Sequence, residues 1–450
     1  MRAAAGLRRG SVPALCFTIL VLVAHAAFAQ GRPAVIVDPG KRQVFKAAVQ
    51  RFADLSKLKA DGRTVEFRTA LSNALAFSSV FELVDPKAFL GPDQTSDFGR
   101  RKSLVCVDWT TIGADAFVEG VMEVDDRRFT VEFRIWDTGR CQPLLRKRYR
   151  QAVALDPTAL ARRIADDVVE AFIGVSGVSA TEIAFVSDRK RGKEIYLMDA
   201  DGSRQRAVTA NGSINNFPSW SPDGKSIAFT SYRHRNQPNI FVSTRGRGTP
   251  QRLLTGLRRE QSQYRAVFGP DGNKLAVVMS DEKPSEIYSV KMSTRKYTRL
   301  TKDRAIDVSP SWSPNGKRLA YVSDRTGSPQ IYIMNADGSD SRRLTFNGSY
   351  NTAPAWSPDG KWIAYETRTR GQFDIWLIDP EGRTNVPLVT HPRSDEAPAW
   401  APNSRKLAFS STRRGLADIY VIDLGGGGKA RRITSGAGNN TAPSWGPYPR

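Results

Sequence analysis

Histidine and cysteine are scarce in this sequence, which contains three of each among its 450 residues. Beyond the first thirty residues the remaining histidines are His234 and His391, each in a polar stretch. No Gly-x-Ser-x-Gly motif and no glycine-rich phosphate loop accompany them. A catalytic triad and a cysteine–histidine zinc site therefore lack the residues that they need. We predict that the protein is not an enzyme and that it uses no cofactor and no metal.

Long apolar runs are also absent, except at the start of the chain. Arg8 and Arg9 precede an apolar run at 12–24, and small residues at 27–29 come before Gln30. This pattern is typical of a secretory signal peptide covering residues 1–29, and the run is too short to span a membrane. An uncleaved anchor is the alternative. We expect cleavage near Gln30 and an exported mature protein with no direct membrane insertion.

Acidic residues are outnumbered by basic ones. The formal net charge is +22, and it falls to +19 without Arg2, Arg8 and Arg9 of the signal peptide. The basic residues lie mostly in predicted turns, whereas the aromatic residues fall on predicted strands. Because a nucleic-acid-binding module interleaves the two types, we favour a solvated basic rim over a nucleic-acid site. We therefore predict no nucleic-acid partner.

Two cysteines, Cys106 and Cys141, remain once Cys16 leaves with the signal peptide. In an oxidising compartment two cysteines allow a single intramolecular disulfide. The sequence does not give the distance between their Cα atoms, on which such a bond depends. Both a disulfide and two free thiols therefore stay open.

The second half of the chain repeats one phrase, an aromatic residue followed by a Pro-Asp-Gly-like turn. Successive copies are 44 to 48 residues apart, a period typical of propeller blades and of helical-pair repeats. Short β-branched and aromatic runs follow each turn, as at 227–229, and they indicate strands. We predict a four-stranded blade for each period, with the aromatic residues packed between blades and a ligand cage as the alternative. These residues are Trp220, Phe268, Trp312, Trp356, Trp400 and Trp445.

The two ends of this repeat are incomplete in complementary ways. Strand-like runs near Ile183, Ile195 and Val208 have no aromatic phrase before them, and the phrase at Trp445 has no strands after it. Pairing the two ends leaves no edge strand unpaired. The predicted fold is an α/β N-terminal domain followed by an all-β six-bladed β-propeller closed by the C-terminal strand.

Helical and strand-like patterns alternate upstream of the propeller, which is typical of a compact α/β domain. Asp156 and Pro157 form a typical helix start. A short extended segment at 34–38 is either an N-terminal arm or the first strand of the domain. The predicted organisation is a signal peptide at 1–29, an arm at 30–40, an α/β domain at 41–174 with helices at 63–78 and 157–173, and a propeller at 175–450.

The residues just before each aromatic phrase differ from blade to blade. In a propeller these segments cross one face and converge on the central channel. Six non-identical loops at that place form a surface for a protein partner, with tolerant turns as the alternative. The candidate residues are Asn216, Phe217, Tyr264, Arg265, Asp307, Val308, Asn351, Thr352, Asp395, Glu396, Asn440 and Thr441.

Taken in order, these features resemble the TolB family, periplasmic components of the Tol-Pal system of Gram-negative bacteria. The resemblance rests on the signal peptide, the segment 34–38, the stretch 108–116, the joint at 174–177 and the six blades. The sequence departs from the family at Tyr264 and Arg265, where small residues are common.

The resemblance implies a monomeric, non-enzymatic periplasmic adaptor that supports outer-membrane integrity and invagination during cell division. The candidate residues on the propeller would bind the lipoprotein Pal. The arm would add a strand to the C-terminal domain of TolA. A secreted propeller with a hydrolytic or glycan-binding role is the alternative. The implied TolA-binding residues are Arg32, Ala34, Val35, Ile36, Val37 and Asp38.

Overall fold

A computed structural model describes most of the chain. The predicted signal peptide and arm lie outside the described residues, so both stay predictions. Within those residues, no helix combines the length and the apolar character that crossing a membrane requires. The described residues are 44–56, 62–90, 98, 104–152, 155–246, 248–254, 261–280, 284–424, 429–436 and 438–449.

An α/β domain comes first, with a six-stranded sheet in the order β3-β1-β4-β5-β6 and β2 paired to β4. Strand β1 is parallel to β3 and β4, and β4, β5 and β6 are antiparallel. The strands are β1 (Phe45–Val49), β2 (Ala53–Asp54), β3 (Phe81–Leu83), β4 (Ala116–Val124), β5 (Arg128–Asp137) and β6 (Gln142–Ala152). The helices are α1 (Arg63–Ser78), a 3-10 turn (Pro86–Ala88), α2 (Cys106–Thr111) and α3 (Pro157–Ile173).

Helix α3 shows how local sequence sets this domain. The Asp156 side chain accepts a hydrogen bond from the Thr158 backbone N–H at 2.8 Å, and Pro157 takes the first helical position. The helix ends at Gly174, whose φ of 68° suits glycine. Its apolar side, including the fully buried Ile164, packs into the core between helices and sheet. The predicted helices at 63–78 and 157–173 are confirmed.

Cys106 and Cys141 form a disulfide, with their Cα atoms 5.7 Å apart. The bond joins the start of α2 to the turn between β5 and β6, close to Trp109 stacked on Phe117. The bridged cysteines are 35 residues apart in sequence. Closing a loop of that length lowers the entropy of the unfolded chain, which stabilises the folded state by about 3–4 kcal/mol. Of the two states that the sequence left open, the structure has the bonded one.

Six antiparallel four-stranded sheets then form the propeller, which confirms the predicted fold. Blade 1 combines the last strand of the chain with the first three strands of the repeat. Blades 1 to 3 are β30 (Asn440–Trp445), β7 (Glu182–Ser187), β8 (Glu194–Asp199) and β9 (Arg206–Ala207); β10 (Asn215–Trp220), β11 (Ser226–His234), β12 (Gln237–Thr244) and β13 (Gln251–Arg252); and β14 (Ser262–Phe268), β15 (Lys274–Ser280), β16 (Glu286–Lys291) and β17 (Tyr297–Arg299). Blades 4 to 6 are β18 (Asp307–Trp312), β19 (Arg318–Ser323), β20 (Gln330–Asn335) and β21 (Arg342–Arg343); β22 (Asn351–Trp356), β23 (Ile363–Thr369), β24 (Gln372–Ile378) and β25 (Asn385–Val389); and β26 (Asp395–Trp400), β27 (Lys406–Arg414), β28 (Leu416–Asp423) and β29 (Arg431–Arg432).

The C-terminal strand closes the ring as predicted. Strand β30 pairs antiparallel with β7, and Trp445 lies opposite Ile183. The Trp445 indole donates a hydrogen bond to the Thr181 hydroxyl at 2.8 Å. The Gly446 N–H donates to the Glu182 carbonyl, also at 2.8 Å. Backbone and side-chain hydrogen bonds therefore hold β30 in place. Without β30, β7 would be an open edge of the sheet.

The repeated aromatic residues pack between blades, which confirms the core interpretation over the ligand cage. All six are only 7–9% exposed. Indoles also bond across blade boundaries: Trp312 donates to the Val267 carbonyl at 3.2 Å, and Trp400 donates to the Ala355 carbonyl at 2.9 Å. Each bond joins a blade to the blade before it, so the aromatic residues connect the repeats.

The α/β domain packs on the side of the propeller that carries the turns after the first and third strands of each blade, called here the docked face. Arg162 of α3 forms an ion pair with Asp199 at 2.9 Å. Lys406, whose side chain is 4% exposed, pairs with Asp423 at 2.7 Å and donates to the Ser79 hydroxyl at 3.0 Å. These buried charges are paired, as burial requires.

The joint between the two domains is fixed by Asp166. Its carboxylate accepts hydrogen bonds from the backbone N–H groups of Ser179 at 2.7 Å and Ala180 at 2.9 Å. Burial raises the pKa of Asp166 to about 7, although these two hydrogen bonds favour the ionised form. The α/β domain thus occupies one side of the propeller through specific polar contacts.

Candidate protein-binding face

The opposite side of the propeller, called here the free face, is formed by the turns after the second strands and by the connections between blades. In an antiparallel blade these segments lie at the end away from the docked face. The candidate residues lie here at the mouth of the central channel. They belong to the first strands of the blades (β10, β14, β18, β22, β26 and β30), whereas the sequence placed them in loops. These residues already pair with the second strand of their blade: Asn216, for example, lies opposite Thr230 in β11.

Four candidate side chains are fully buried and bond within the propeller. Asp395 accepts a hydrogen bond from Arg413 at 2.8 Å, and Asn351 donates one to Gln330 at 2.7 Å. With no exposed surface, such side chains hold the strand in place and offer nothing to a partner in this conformation. The four residues, each 0% exposed, are Asp307, Asn351, Asp395 and Asn440.

Several of these buried groups are held by arginines that were not among the predicted site residues. In blade 6 the Arg413 guanidinium donates to the Ser411 hydroxyl at 2.8 Å and lies over the Tyr420 ring, 4.5 Å from its centroid. Arg189 and Arg325 repeat this arrangement in blades 1 and 4. A Ser-x-Arg pattern at the end of the second strand is the signal that would have revealed them.

In each first strand, the residue directly after the buried position is half-buried and reaches the surface. Tyr264 hydrogen-bonds through its hydroxyl to Ser285, which fixes its ring at the rim. Burial raises the pKa of the Glu396 carboxyl, as does the charge of Asp395 beside it. The residues at this position are Asn216, Tyr264, Val308, Thr352, Glu396 and Thr441.

A ring of six backbone bulges follows, one in each blade. In each blade the pairing register shifts directly after the half-buried residue. The residue at each bulge has a left-handed conformation, with φ between 48° and 57°, which costs about 1 kcal/mol or more for a residue other than glycine. These residues line a cavity of about 260 Å³ in the channel. They are Phe217, Arg265, Ser309, Ala353, Ala397 and Ala442.

Arg265 and Phe217 are the two large members of this ring. The Arg265 guanidinium lies over the Phe217 ring, 4.8 Å from its centroid. The Arg265 backbone N–H donates to the Thr230 hydroxyl at 3.0 Å. In blade 6 the equivalent N–H, that of Ala397, donates to Glu366 at 2.6 Å. The two large residues of a ring otherwise made of serine and alanine thus meet at the channel mouth.

Among the described residues, exposed cations outnumber exposed acids on the free face. The acidic residues of its described turns, Asp188, Asp303 and Asp324, are only partly exposed, and so is Glu396 at the channel mouth. Such an excess of cations attracts an acidic macromolecular surface over several ångströms. The exposed cations of its turns and the adjoining strand ends are Lys190, Arg191, Lys193, Arg235, Lys302, Arg304, Arg368, Arg370, Arg393 and Arg414.

The described residues contain no group of three or more histidine, cysteine, aspartate or glutamate side chains that could hold a metal ion. The fold and the face define a two-domain propeller protein with a basic, open channel mouth. Residues 33–144 match the family model of the TolB amino-terminal domain, and residues 169–405 match that of the TolB beta propeller domain. The chain belongs to the TolB family of Tol-Pal system proteins.

Known relatives agree with this assignment. The Tol-Pal system protein TolB of Anaeromyxobacter sp. (strain K) is 34% identical over 302 residues, which cover 66% of this chain and 67% of the relative. TolB of Desulfosudis oleivorans is 34% identical over 292 residues, 64% of each chain. The crystal structure of TolB from Acinetobacter baumannii has the same fold, with a TM-score of 0.75 at 24% identity over 90% of this chain and 97% of that one. The family assignment confirms the predicted resemblance and the prediction of a non-enzymatic protein.

Proposed function

We propose that this protein is a periplasmic adaptor of the Tol-Pal system. Its free face binds the lipoprotein Pal, and its N-terminal arm, including Arg32 and the segment 34–38, binds the C-terminal domain of TolA. By joining the two partners it supports outer-membrane integrity and invagination during cell division. Family membership supports the system, and the open channel mouth is the observation that carries the Pal-binding part.

Three properties of the free face fit a protein partner. The α/β domain contacts described above lie on the docked face, and residues of the free face such as Thr352 keep exposed surface among the described residues. Its half-buried residues, such as Tyr264 and Glu396, differ between most blades and therefore form an asymmetric surface that a partner can bind in one orientation. The buried residues beneath, such as Asp395, hold that surface rigid, which lowers the entropy cost of binding.

The proposal is tested by measuring the affinity of the purified mature protein for the periplasmic domain of Pal. Thr352→Arg places a long charged side chain at the channel mouth, and we expect it to abolish binding because it fills the interface. Thr298→Arg is the matched control: Thr298 is exposed on β17, the outermost strand of blade 3. We expect it to bind Pal like the wild type, with both variants melting at the wild-type temperature.

Two results would overturn the proposal. One is a wild-type protein that does not bind Pal. The other is equal Pal binding by the Thr352→Arg variant. Turnover of peptide or glycan substrates by the purified protein would instead favour a hydrolytic or glycan-binding propeller.

A further inference from the structure

Arg265 differs from the other ring residues because it brings a charge into the channel mouth. Its guanidinium lies over the Phe217 ring, 4.8 Å from the ring centroid. Among the described residues, no hydrogen-bond or ion-pair partner of this guanidinium is present, and its backbone N–H alone is bonded, to Thr230. Because the aromatic ring has no hydrogen-bond acceptor atom, this contact leaves the guanidinium N–H groups available to an acceptor from a partner.

The acid that acts on Arg265 through space is Glu366, on the second strand of blade 5. Glu366 is 8% exposed, and one of its oxygens already accepts a hydrogen bond from the Ala397 N–H at 2.6 Å. In its ionised form Glu366 therefore lowers the cost of burying the Arg265 charge without taking up the Arg265 N–H groups. The small ring residues of the other blades, such as Ala353 and Ala442, leave the cavity beside Arg265 open.

We infer that Arg265 and Phe217 form a pocket for a carboxylate, supplied by an aspartate or glutamate side chain on the surface of bound Pal. The planar fork of a guanidinium matches the two oxygens of a carboxylate, and the desolvated site strengthens that bond. The exposed cations around the channel favour a partner surface rich in acidic side chains, so the carboxylate belongs to a side chain of that surface. This inference rests on the proposed function.

The fold itself shows that Arg265 is not needed for the bulge. Ser309, Ala353, Ala397 and Ala442 adopt the same left-handed conformation at the equivalent position. Arg265→Ala therefore reproduces the residue that three other blades already have. Its effect on binding is separable from folding.

The test compares the affinity of Pal for the wild type, Arg265→Ala and Arg265→Lys by titration calorimetry. We expect Arg265→Ala to bind about tenfold to a hundredfold more weakly, because a charge-assisted bidentate contact is lost. Arg265→Lys keeps the charge but not the fork, and it falls between the two. Arg414→Ala, which removes an exposed arginine of the same face, is the control, with an expected loss of less than about threefold.

The source of the carboxylate is identified on the Pal side. Acidic surface residues of Pal are changed one at a time to arginine and tested against Arg265→Glu. We expect one of them to restore the binding that Arg265→Glu loses. A Pal domain with an amidated C-terminus lacks the carboxylate of the chain terminus but keeps its side-chain carboxylates. We expect this domain to bind with the affinity of unmodified Pal.

The outcomes distinguish this inference from the proposed function. If the wild type does not bind Pal, the proposed function fails. If the wild type binds Pal and Arg265→Ala binds equally well, the carboxylate pocket is wrong and the adaptor function stands. If only C-terminal amidation weakens binding, the side-chain carboxylate is the wrong ligand.

Discussion

At the scale of single residues, the propeller depends on one aromatic side chain for each blade. Trp400 is 7% exposed and donates its indole N–H to the Ala355 carbonyl of the preceding blade. It thus contributes both buried apolar area and a bond between repeats. The aromatic residue that marks each copy of the repeat in the sequence is therefore also the residue that joins neighbouring blades.

We expect Trp400→Ala to lower the free energy of unfolding by about 3–5 kcal/mol, because it opens a cavity between blades 5 and 6. Urea denaturation measures this change. Phe346→Ala removes an aromatic ring that is 74% exposed, and we expect less than about 1 kcal/mol for it. Equal effects of the two substitutions would contradict the packing role.

Glu366 makes stability depend on pH. Burial raises its pKa to about 7, above the value of an unfolded glutamate, so the folded state binds the proton more tightly than the unfolded state does. Stability therefore decreases as pH rises from about 5 to about 8, by about 2 kcal/mol for this one group. Glu366→Gln removes this contribution while its amide oxygen still accepts from the Ala397 N–H.

Urea denaturation at several values between pH 5 and pH 8 tests this prediction. We expect the slope of stability against pH to be smaller in Glu366→Gln than in the wild type. Asp166, whose pKa burial also raises to about 7, leaves part of the slope in place. An identical slope in wild type and variant would show that Glu366 does not titrate in this range.

At the scale of elements, the last strand determines whether the propeller is a closed ring. Strand β30 is the innermost strand of blade 1, and it provides both Trp445 and a side of the channel mouth. Its loss would leave β7 as an open edge and break the ring of bulges.

We expect deletion of residues 436–450 to lower the melting temperature by about 10 °C or more and to abolish Pal binding, because packing and pairing are lost together. Deletion of residues 449–450, which follow the strand, is the control and should leave both properties unchanged. A shortened chain that keeps its stability and its Pal affinity would contradict the role of β30.

The N-terminal arm is the second element with a predicted role of its own. We expect deletion of residues 30–38 to abolish binding to the TolA C-terminal domain and to change the melting temperature by less than about 2 °C. Affinity measurement and a thermal scan check the two parts. A large loss of stability would show instead that the segment belongs to the core of the α/β domain.

At the scale of the whole molecule, the architecture was predictable because every period of the repeat carries its own strands, turn and aromatic residue. Closure followed from two incomplete ends, and β30 pairs with β7 as expected. Helix α3 was predictable because its start and end signals, Asp156 and Gly174, are local.

The candidate face was predicted only in outline, because burial there depends on contacts between distant residues. Asp395 is bonded to Arg413, eighteen positions further along the sequence. Asn440, near the end of the chain, is bonded to Arg189, which lies near the start of the propeller sequence. The bulge ring was also missed, since none of its six residues is the glycine that usually indicates such a conformation. Positions before the aromatic phrase were therefore treated as equivalent, whereas the structure divides them into buried, half-buried and channel-lining residues.

The most direct test of the central claim is amide hydrogen exchange of the mature protein with and without the periplasmic domain of Pal. We predict slower exchange on Pal binding in the turns after the second strands of the blades and around the bulge residues. The docked face and α3 should show no direct footprint. Protection confined to the docked face, or no protection at all, would contradict the assignment of the free face as the Pal-binding surface.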